Sequence, residues 1–186
     1  GARLVVASVG PLVSLQDAGR FGRLRFGVTG AGPMDRLAHV AANLAIGNAP
    51  GATALEVSVG GLVLECREGS VTVAVSGGGF AVQHNEQTHT EWTACTLRQG
   101  DRLAVRPGTW GSWAYVAVAG SLGATSWLDS TSTHSASGFG GGMVETGQRF
   151  EIVDARVDPD REGVIPMPRW ARPNGTVRVV MGPQDQ

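Results

Sequence analysis

Lysine is absent from this 186-residue chain, and all 15 of its strongly basic side chains are arginine. That absence excludes a Walker-A lysine, a Schiff-base lysine, and any lysine that would carry biotin, lipoate or pyridoxal phosphate. If the protein takes part in such chemistry, another chain supplies it. Net charge is scarce as well. The 15 arginines face 16 acidic residues for a formal charge of −1, without the basic stripe that nucleic acid requires. No apolar run approaches the roughly 20 residues that cross a bilayer. The opening Gly1-Ala2-Arg3-Leu4-Val5-Val6 lacks the charged and apolar regions of a signal peptide. Neither nucleic-acid nor membrane partners are expected.

Cysteine is sparse. Cys66 and Cys95 lie far apart with no CxxC spacing, which favours two reduced, buried thiols in a cytoplasmic protein over a disulfide or a metal site. The four histidines, His39, His84, His89 and His134, show neither HExxH nor paired-ligand spacing. His84 and His89 flank Asn85 as they would in a hairpin.

Glycine, by contrast, is plentiful: 28 residues, about twice its usual share of roughly 7%. Most of it punctuates short apolar or alternating runs: Arg3–Val9, Ala54–Val59, Leu62–Cys66, Val71–Ser76, Arg102–Arg106, Trp113–Ala119, Arg149–Asp154 and Thr176–Met181. Such runs, each bounded by Gly, Pro or Asn, predict a mainly β protein, a barrel or sandwich with glycine at its turns. One segment differs. In Pro33–Ile46 the apolar positions 37, 40, 41 and 44 follow the spacing of one helical face, which predicts a helix packed through Leu37, Val40 and Leu44. Pro33 suits its first turn, Asp35 the positive end of its dipole, and Gly47 a left-handed stop. From Asp154 to Asn174 the chain is polar and proline-rich, an irregular excursion over the surface.

Polar chemistry gathers between Gln16 and Glu56. Gln16, Asp17 and Arg20 stand within five residues of one another, and Gly27-Val28-Thr29-Gly30-Ala31-Gly32 leads into the helix start. A glycine loop at a helix N-terminus offers free N–H groups to an anion, with Arg20 as a bidentate clamp. The alternative is structural, with Asp17 and Arg20 closing the loop as a pair. Asn43 falls near the apolar face, where it would reach a neighbouring loop, and Asn48 reads as a cap. Glu56, between Leu55 and Val57, either faces solvent or is a buried carboxylate needing a partner such as Arg20. Gly138–Gly142 has no Lys-Ser/Thr after it and reads as a plain loop. Ser130–His134 puts hydroxyls beside an imidazole, but there is no GxSxG elbow to support a serine triad.

Four motifs in order carry a resemblance: Ser14-Leu15-Gln16-Asp17-Ala18-Gly19-Arg20, Gly30-Ala31-Gly32-Pro33-Met34-Asp35, Ala42-Asn43-Leu44-Ala45-Ile46-Gly47-Asn48, and Leu55-Glu56. It continues through Gly77-Gly78, Asn85, Trp92, Gly100-Asp101, Tyr115–Gly120 and Ser132-Thr133. The chain resembles the allophanate hydrolase subunit 2 family, also called the KipA-like or 5-oxoprolinase C-subunit family, related to the carboxyltransferase region of urea carboxylase. The resemblance implies a cyclophilin-like β-barrel over residues 1–186, corresponding to about the N-terminal two-thirds of the family domain. It implies a KipI-like (allophanate hydrolase subunit 1) partner, in 5-oxoprolinase also that enzyme's A subunit, and ATP used by the complex to open a cyclic amide. In urea carboxylase the equivalent domains move a carboxyl group from biotin to urea. Here neither a P-loop nor attached biotin can belong to the chain. The expected catalytic residues are Asp17, Asp35 and Glu56. The expected substrate contacts are Gln16, Arg20, Gly30, Pro33, Met34, Asn43 and Asn48, with Arg20 on a substrate carboxylate. A second reading is a regulatory module that only binds a KipI-like kinase inhibitor. The family's usual Arg before the tyrosine is Trp113 in this chain, and its usual Arg-Ser-Thr-Asp is Thr131-Ser132-Thr133-His134.

Overall fold

A computed structural model describes residues 1–18, 32–127, 133–135 and 143–173. Two antiparallel sheets and one helix make up its regular structure, in keeping with a mainly β, cyclophilin-like fold. Strands β1 (Ala2–Val9), β4 (Leu62–Glu68), β6 (Ala81–His84), β7 (Gln87–His89), β9 (Arg102–Arg106), β11 (Ser121–Trp127), β12 (Thr133–Ser135) and β13 (Gln148–Val153) form the larger sheet, in the order β12-β11-β13-β1-β4-β9-β6-β7. Strands β2 (Ser14–Gln16), β3 (Ala54–Val57), β5 (Ser70–Ser76), β8 (Thr93–Arg98), β10 (Ala114–Val118) and β14 (Gly163–Val164) form the smaller, in the order β14-β8-β5-β10-β3-β2. The sheets share one apolar core, with Leu4, Val6, Leu64, Leu103, Val105 and Phe150 from one and Leu55, Val73, Val75, Leu97, Val116 and Val118 from the other. Among the described residues they keep separate edges instead of closing into one ring.

The predicted strands that fall on described residues are all present, with ends moved by one or two residues; Thr176–Met181 lies outside the described residues. His84 and His89 do belong to a hairpin, β6 paired with β7 across Asn85. The excursion after β13 holds only short 3-10 turns at Pro159–Arg161 and Arg169–Ala171 and the two-residue β14.

The helix differs from expectation in extent and in orientation. Helix α1 runs Arg36–Ala45, not from Pro33, because Asp35 is extended (φ −119°, ψ 92°) and caps it, its side chain accepting from the Ala38 amide. Gly47, with φ +78°, provides the expected left-handed stop. The buried face is Ala38, His39, Ala42 and Asn43, whereas Leu37 and Leu44 are 55% and 52% exposed.

Register explains the reversal. Leu55 and Val116 are cross-strand neighbours, as are Val116 and Val75, and these point into the core between the sheets. The alternate residues share the other face: Ala54, Glu56, Ala74, Ser76, Tyr115 and Ala117. Small side chains there let α1 come close enough for the Ser76 hydroxyl to donate to the Ala38 carbonyl at 2.6 Å. Alanines on the helix match alanines on the sheet, and leucine would not fit between them. Strands β3 and β10 are consequently buried on both faces.

Candidate functional site

Glu56 on β3 has Ser14 of β2 opposite it on one side and Tyr115 of β10 on the other, and Tyr115 faces Ser76 of β5 in turn. Directly opposed side chains share a face. Ser14, Glu56, Tyr115 and Ser76 therefore form a polar row across four strands, on the face that α1 covers.

Glu56 is only 4% exposed, so its carboxylate depends on donors within the fold. Its Oε2 accepts the Tyr115 phenol at 2.8 Å and the Met34 backbone N–H at 2.8 Å. The Tyr115 oxygen accepts the Asp35 backbone N–H at 2.8 Å, and Asp35 Oδ1 accepts the Ala38 N–H at 3.0 Å. The chain of bonds ties the sheet row to the first turn of the helix, whose dipole presents its positive end there. Burial pushes the Tyr115 phenol well above its usual range and the neighbouring Glu56 and Asp35 charges add to the rise, against the hydrogen bond from Asp35. Tyr115 stays protonated and remains a donor.

His39 sits behind this row, fully buried, its ring edge-to-face with Tyr115 at 5.6 Å between centroids and 88° between planes. Its Nε2 lies 2.9 Å from the Gln16 carbonyl oxygen. Desolvation lowers its pKa, opposed by that hydrogen bond and by the charges of Asp17 and Glu56. The ring is neutral at pH 7.

Gln16, Met34, Asp35 and Glu56 are thus brought together, Met34 through its backbone, since its side chain is 68% exposed. Pro33 is buried just ahead of them, and Asp17 is half-buried at the end of β2, its charge felt at His39. Arg20 and Gly30 lie outside the described residues. Asn43 and Asn48 stand at the other end of α1. Asn43 donates to the Ala52 carbonyl at 2.9 Å, the neighbouring loop expected for it. Asn48 donates to the Val118 carbonyl at 2.7 Å and to Asn43 Oδ1 at 3.2 Å, while Arg156 donates to Asn48 Oδ1 at 2.8 Å. Both asparagines join the helix end to β10 and the loops around it.

Sequence reasoning gave Tyr115 and His39 no part in the site. Tyr115 is the only tyrosine of the chain, set in an apolar run. His39 falls four residues after Asp35 and four before Asn43, a polar i, i+4 series that marks one helix face. Those were the available signals.

The two cysteines are free and buried, as expected. Among the described residues no group of three His, Cys, Asp or Glu side chains is arranged to hold a metal ion. No described helix is long and apolar enough to cross a membrane.

A mainly β chain of this kind finds its match in carboxyltransferase domains. Residues 26–186 fit the family described as carboxyltransferase domain, subdomain A and B, and the chain belongs to that family. It is 28% identical over 158 residues to the C subunit of 5-oxoprolinase from Haemophilus influenzae, covering 83% of this chain and 51% of that one. The C subunit of 5-oxoprolinase from Escherichia coli is 28% identical over 186 residues, covering 97% of this chain and 58% of that one. The structure of Kluyveromyces lactis urea amidolyase matches with a TM-score of 0.67 and 27% identity, over 89% of this chain and 10% of that chain. The chain spans little more than half the length of the two 5-oxoprolinase relatives. The resemblance to the 5-oxoprolinase C-subunit family and its relation to urea carboxylase are both borne out.

Proposed function

We propose that this chain is one subunit of a heteromeric ATP-dependent amide hydrolase, of the 5-oxoprolinase or allophanate hydrolase type, acting in the cytoplasm and building its active site with a KipI-like subunit. Support comes from family membership and from the two 5-oxoprolinase relatives. The observation that carries the reading is the Glu56 carboxylate, buried yet held at the start of a helix by a phenol and a backbone amide. A fold does not maintain such a charge without use as readily as it would an apolar residue.

In this reading Asp17, Asp35 and Glu56 supply the carboxylates of the site. Gln16, Arg20, Gly30, Pro33 and Met34 contact the substrate, with Arg20 binding its carboxylate. Asn43 and Asn48 support the site by fixing the far end of α1. ATP is handled by the partner, together with the A subunit of 5-oxoprolinase where one is present, because the chain has no lysine for a P-loop or for biotin.

Co-purification with a KipI-like subunit, followed by ATP hydrolysis assays with 5-oxoproline, allophanate or urea, tests the proposal. The complex should hydrolyse ATP in response to one of these amides, the isolated chain should not, and Glu56→Gln should lower the complex's rate about 100-fold or more without releasing the partner. A complex that forms but answers to no amide would instead favour the regulatory module that sequesters a KipI-like kinase inhibitor.

A further inference from the structure

The proline-rich excursion after β13 takes no part in the Glu56 site, yet it walls a cavity of its own. A pocket of about 490 Å³ opens between Ile165, Pro166, Met167 and Pro173 on one side and Trp92 and Trp110 on the other. It lies at the β14 edge of the smaller sheet, four strand spacings or about 19 Å from β3 and Glu56.

Both walls are fixed in place. Trp92 donates its indole N–H to the Gly78 carbonyl at 2.9 Å, and the Trp110 carbonyl accepts the Gly79 N–H at 3.0 Å. The Trp110 ring itself rests on Gly79, where any side chain would collide with it. Across the pocket the Ile165 N–H donates to the Trp92 carbonyl at 2.7 Å, and the prolines hold φ along that wall. Arg172 leaves the 3-10 turn Arg169–Ala171 with its own N–H on the Arg169 carbonyl at 3.3 Å. A cavity preorganised in this way gives up little freedom when it is filled.

Among the described residues, the charged side chains that line the cavity are Glu91 and Arg172. Neither makes an ion pair or a side-chain hydrogen bond, so each offers its full capacity to whatever enters. The rest of the lining is mostly apolar. Indole faces and a methionine sulfur favour a flat ring, and a guanidinium takes a carboxylate or phosphate through paired N–H bonds. Glu91 can only accept, so it selects an N–H on the same ligand. An apolar cleft of roughly 300–1,000 Å³ with a few convergent polar groups is the usual form of a small-molecule site. We propose that this pocket binds a small planar aromatic molecule that carries an anionic group for Arg172 and a ring N–H or amino group for Glu91. Aromatic carboxylates and aromatic phosphate esters share that chemistry. Such binding does not depend on the amide-hydrolase reading.

Indole-3-acetate and 3-indoxyl phosphate are the probes, with the same ring and N–H but different anions. Each is titrated into the chain while its proton–nitrogen-15 spectrum is followed, the Trp110 indole signal being assigned from Trp110→Phe. At least one probe should shift the Trp110 indole and Arg172 backbone signals saturably, with a Kd of about 1 mM or tighter. The tighter of the two identifies carboxylate or phosphate as the anion. Arg172→Gln, at an exposed side chain that the fold does not need, should weaken that binding about 10-fold or more. Glu91→Ala should weaken it about 5-fold, and should leave unchanged the weaker binding of 1-naphthaleneacetate, which has the ring and the carboxylate but no N–H. No shift at Trp110 and Arg172 up to about 10 mM of either probe overturns the assignment. Binding that Arg172→Gln leaves within about 2-fold of wild type overturns it as well.

Discussion

Tyr115 donates its phenolic hydrogen to Oε2 of Glu56 at 2.8 Å, and the two residues stand opposite each other where β10 pairs with β3. The same phenolic oxygen accepts the Asp35 N–H. One hydroxyl therefore joins the middle of the smaller sheet to the start of α1. The site owes its shape to the sheet face that the helix covers, while the apolar core between the two sheets serves as its rigid support.

Tyr115→Phe should separate these two roles. The aromatic ring remains, and with it the contact to His39, but Glu56 loses a donor and the Asp35 amide loses its acceptor. Two buried groups left short of partners should cost about 2–3 kcal/mol in urea unfolding. The complex proposed above should also lose activity in step with the disturbed carboxylate. A variant within about 0.5 kcal/mol of wild type would show that the hydroxyl is not what joins sheet to helix.

The orientation of α1 makes a second prediction with opposite signs on its two faces. Ala42→Leu forces three extra carbons between the helix and the alanines of β5 and β10, and should destabilise the chain by about 1–3 kcal/mol. Leu44→Gln, on the exposed side, should fall within about 0.5 kcal/mol of wild type. The comparison needs only thermal or urea unfolding of the two variants. The reverse ranking would put the leucines back against the sheet.

That ranking also marks what could be read from the sequence. Periodicity located the helix and Gly47 its end, because both are local properties of the backbone. Periodicity also chose the face by hydrophobic size, and size misled: Leu37 and Leu44 are larger, but only Ala38 and Ala42 fit against a sheet face built from alanine and serine. Strands β1, β3, β4, β5, β9, β10 and β13 were legible for the same local reasons, whereas β8 and β11, whose threonines, serines and glycine blur the apolar pattern, and the two- and three-residue β2, β12 and β14 were not found. Glu56 was recognised as a candidate, but its burial depends on coverage of both faces of β3, which no single strand records. Tyr115 and His39 meet Glu56 and Gln16 only through the register of β10 with β3 and the seating of α1. Their part in the site is tertiary information.

Asp101, in the turn between β8 and β9, gives a prediction in pH. Burial works against its charge, but the Arg98 amide, the Asn85 side chain and His84 together outweigh it and hold the carboxyl below its usual range. A carboxylate with a depressed folded pKa contributes stability that is present above its unfolded value of about 3.9 and is lost as pH falls through the folded one. Asp101→Asn should therefore be less stable than wild type at neutral pH, by a margin that narrows below about pH 4. Urea unfolding across that range measures the gap. A margin that persisted unchanged to pH 2 would mean the charge of Asp101 contributes nothing.

The thiols supply the last prediction. Burial pushes Cys95 up to about 12, with the charges of Glu162 and Asp101 adding to the rise, and burial likewise raises Cys66. The thiolate is the reactive form. At pH 8 a thiol of ordinary pKa, about 8.5, is roughly one-quarter thiolate, and a thiol near 12 is about one ten-thousandth thiolate. Steric enclosure slows the reaction further. Ellman's reagent at pH 8 should accordingly leave both cysteines of the folded chain untouched over minutes, and should titrate two thiols at once in guanidinium. The slow native-state reaction should follow the global stability, so that Ala42→Leu, by destabilising the fold, speeds it. A Cys95 that reacted quickly in the native chain, at a rate indifferent to that substitution, would show that β8 and the Glu162 turn open locally without unfolding of the core.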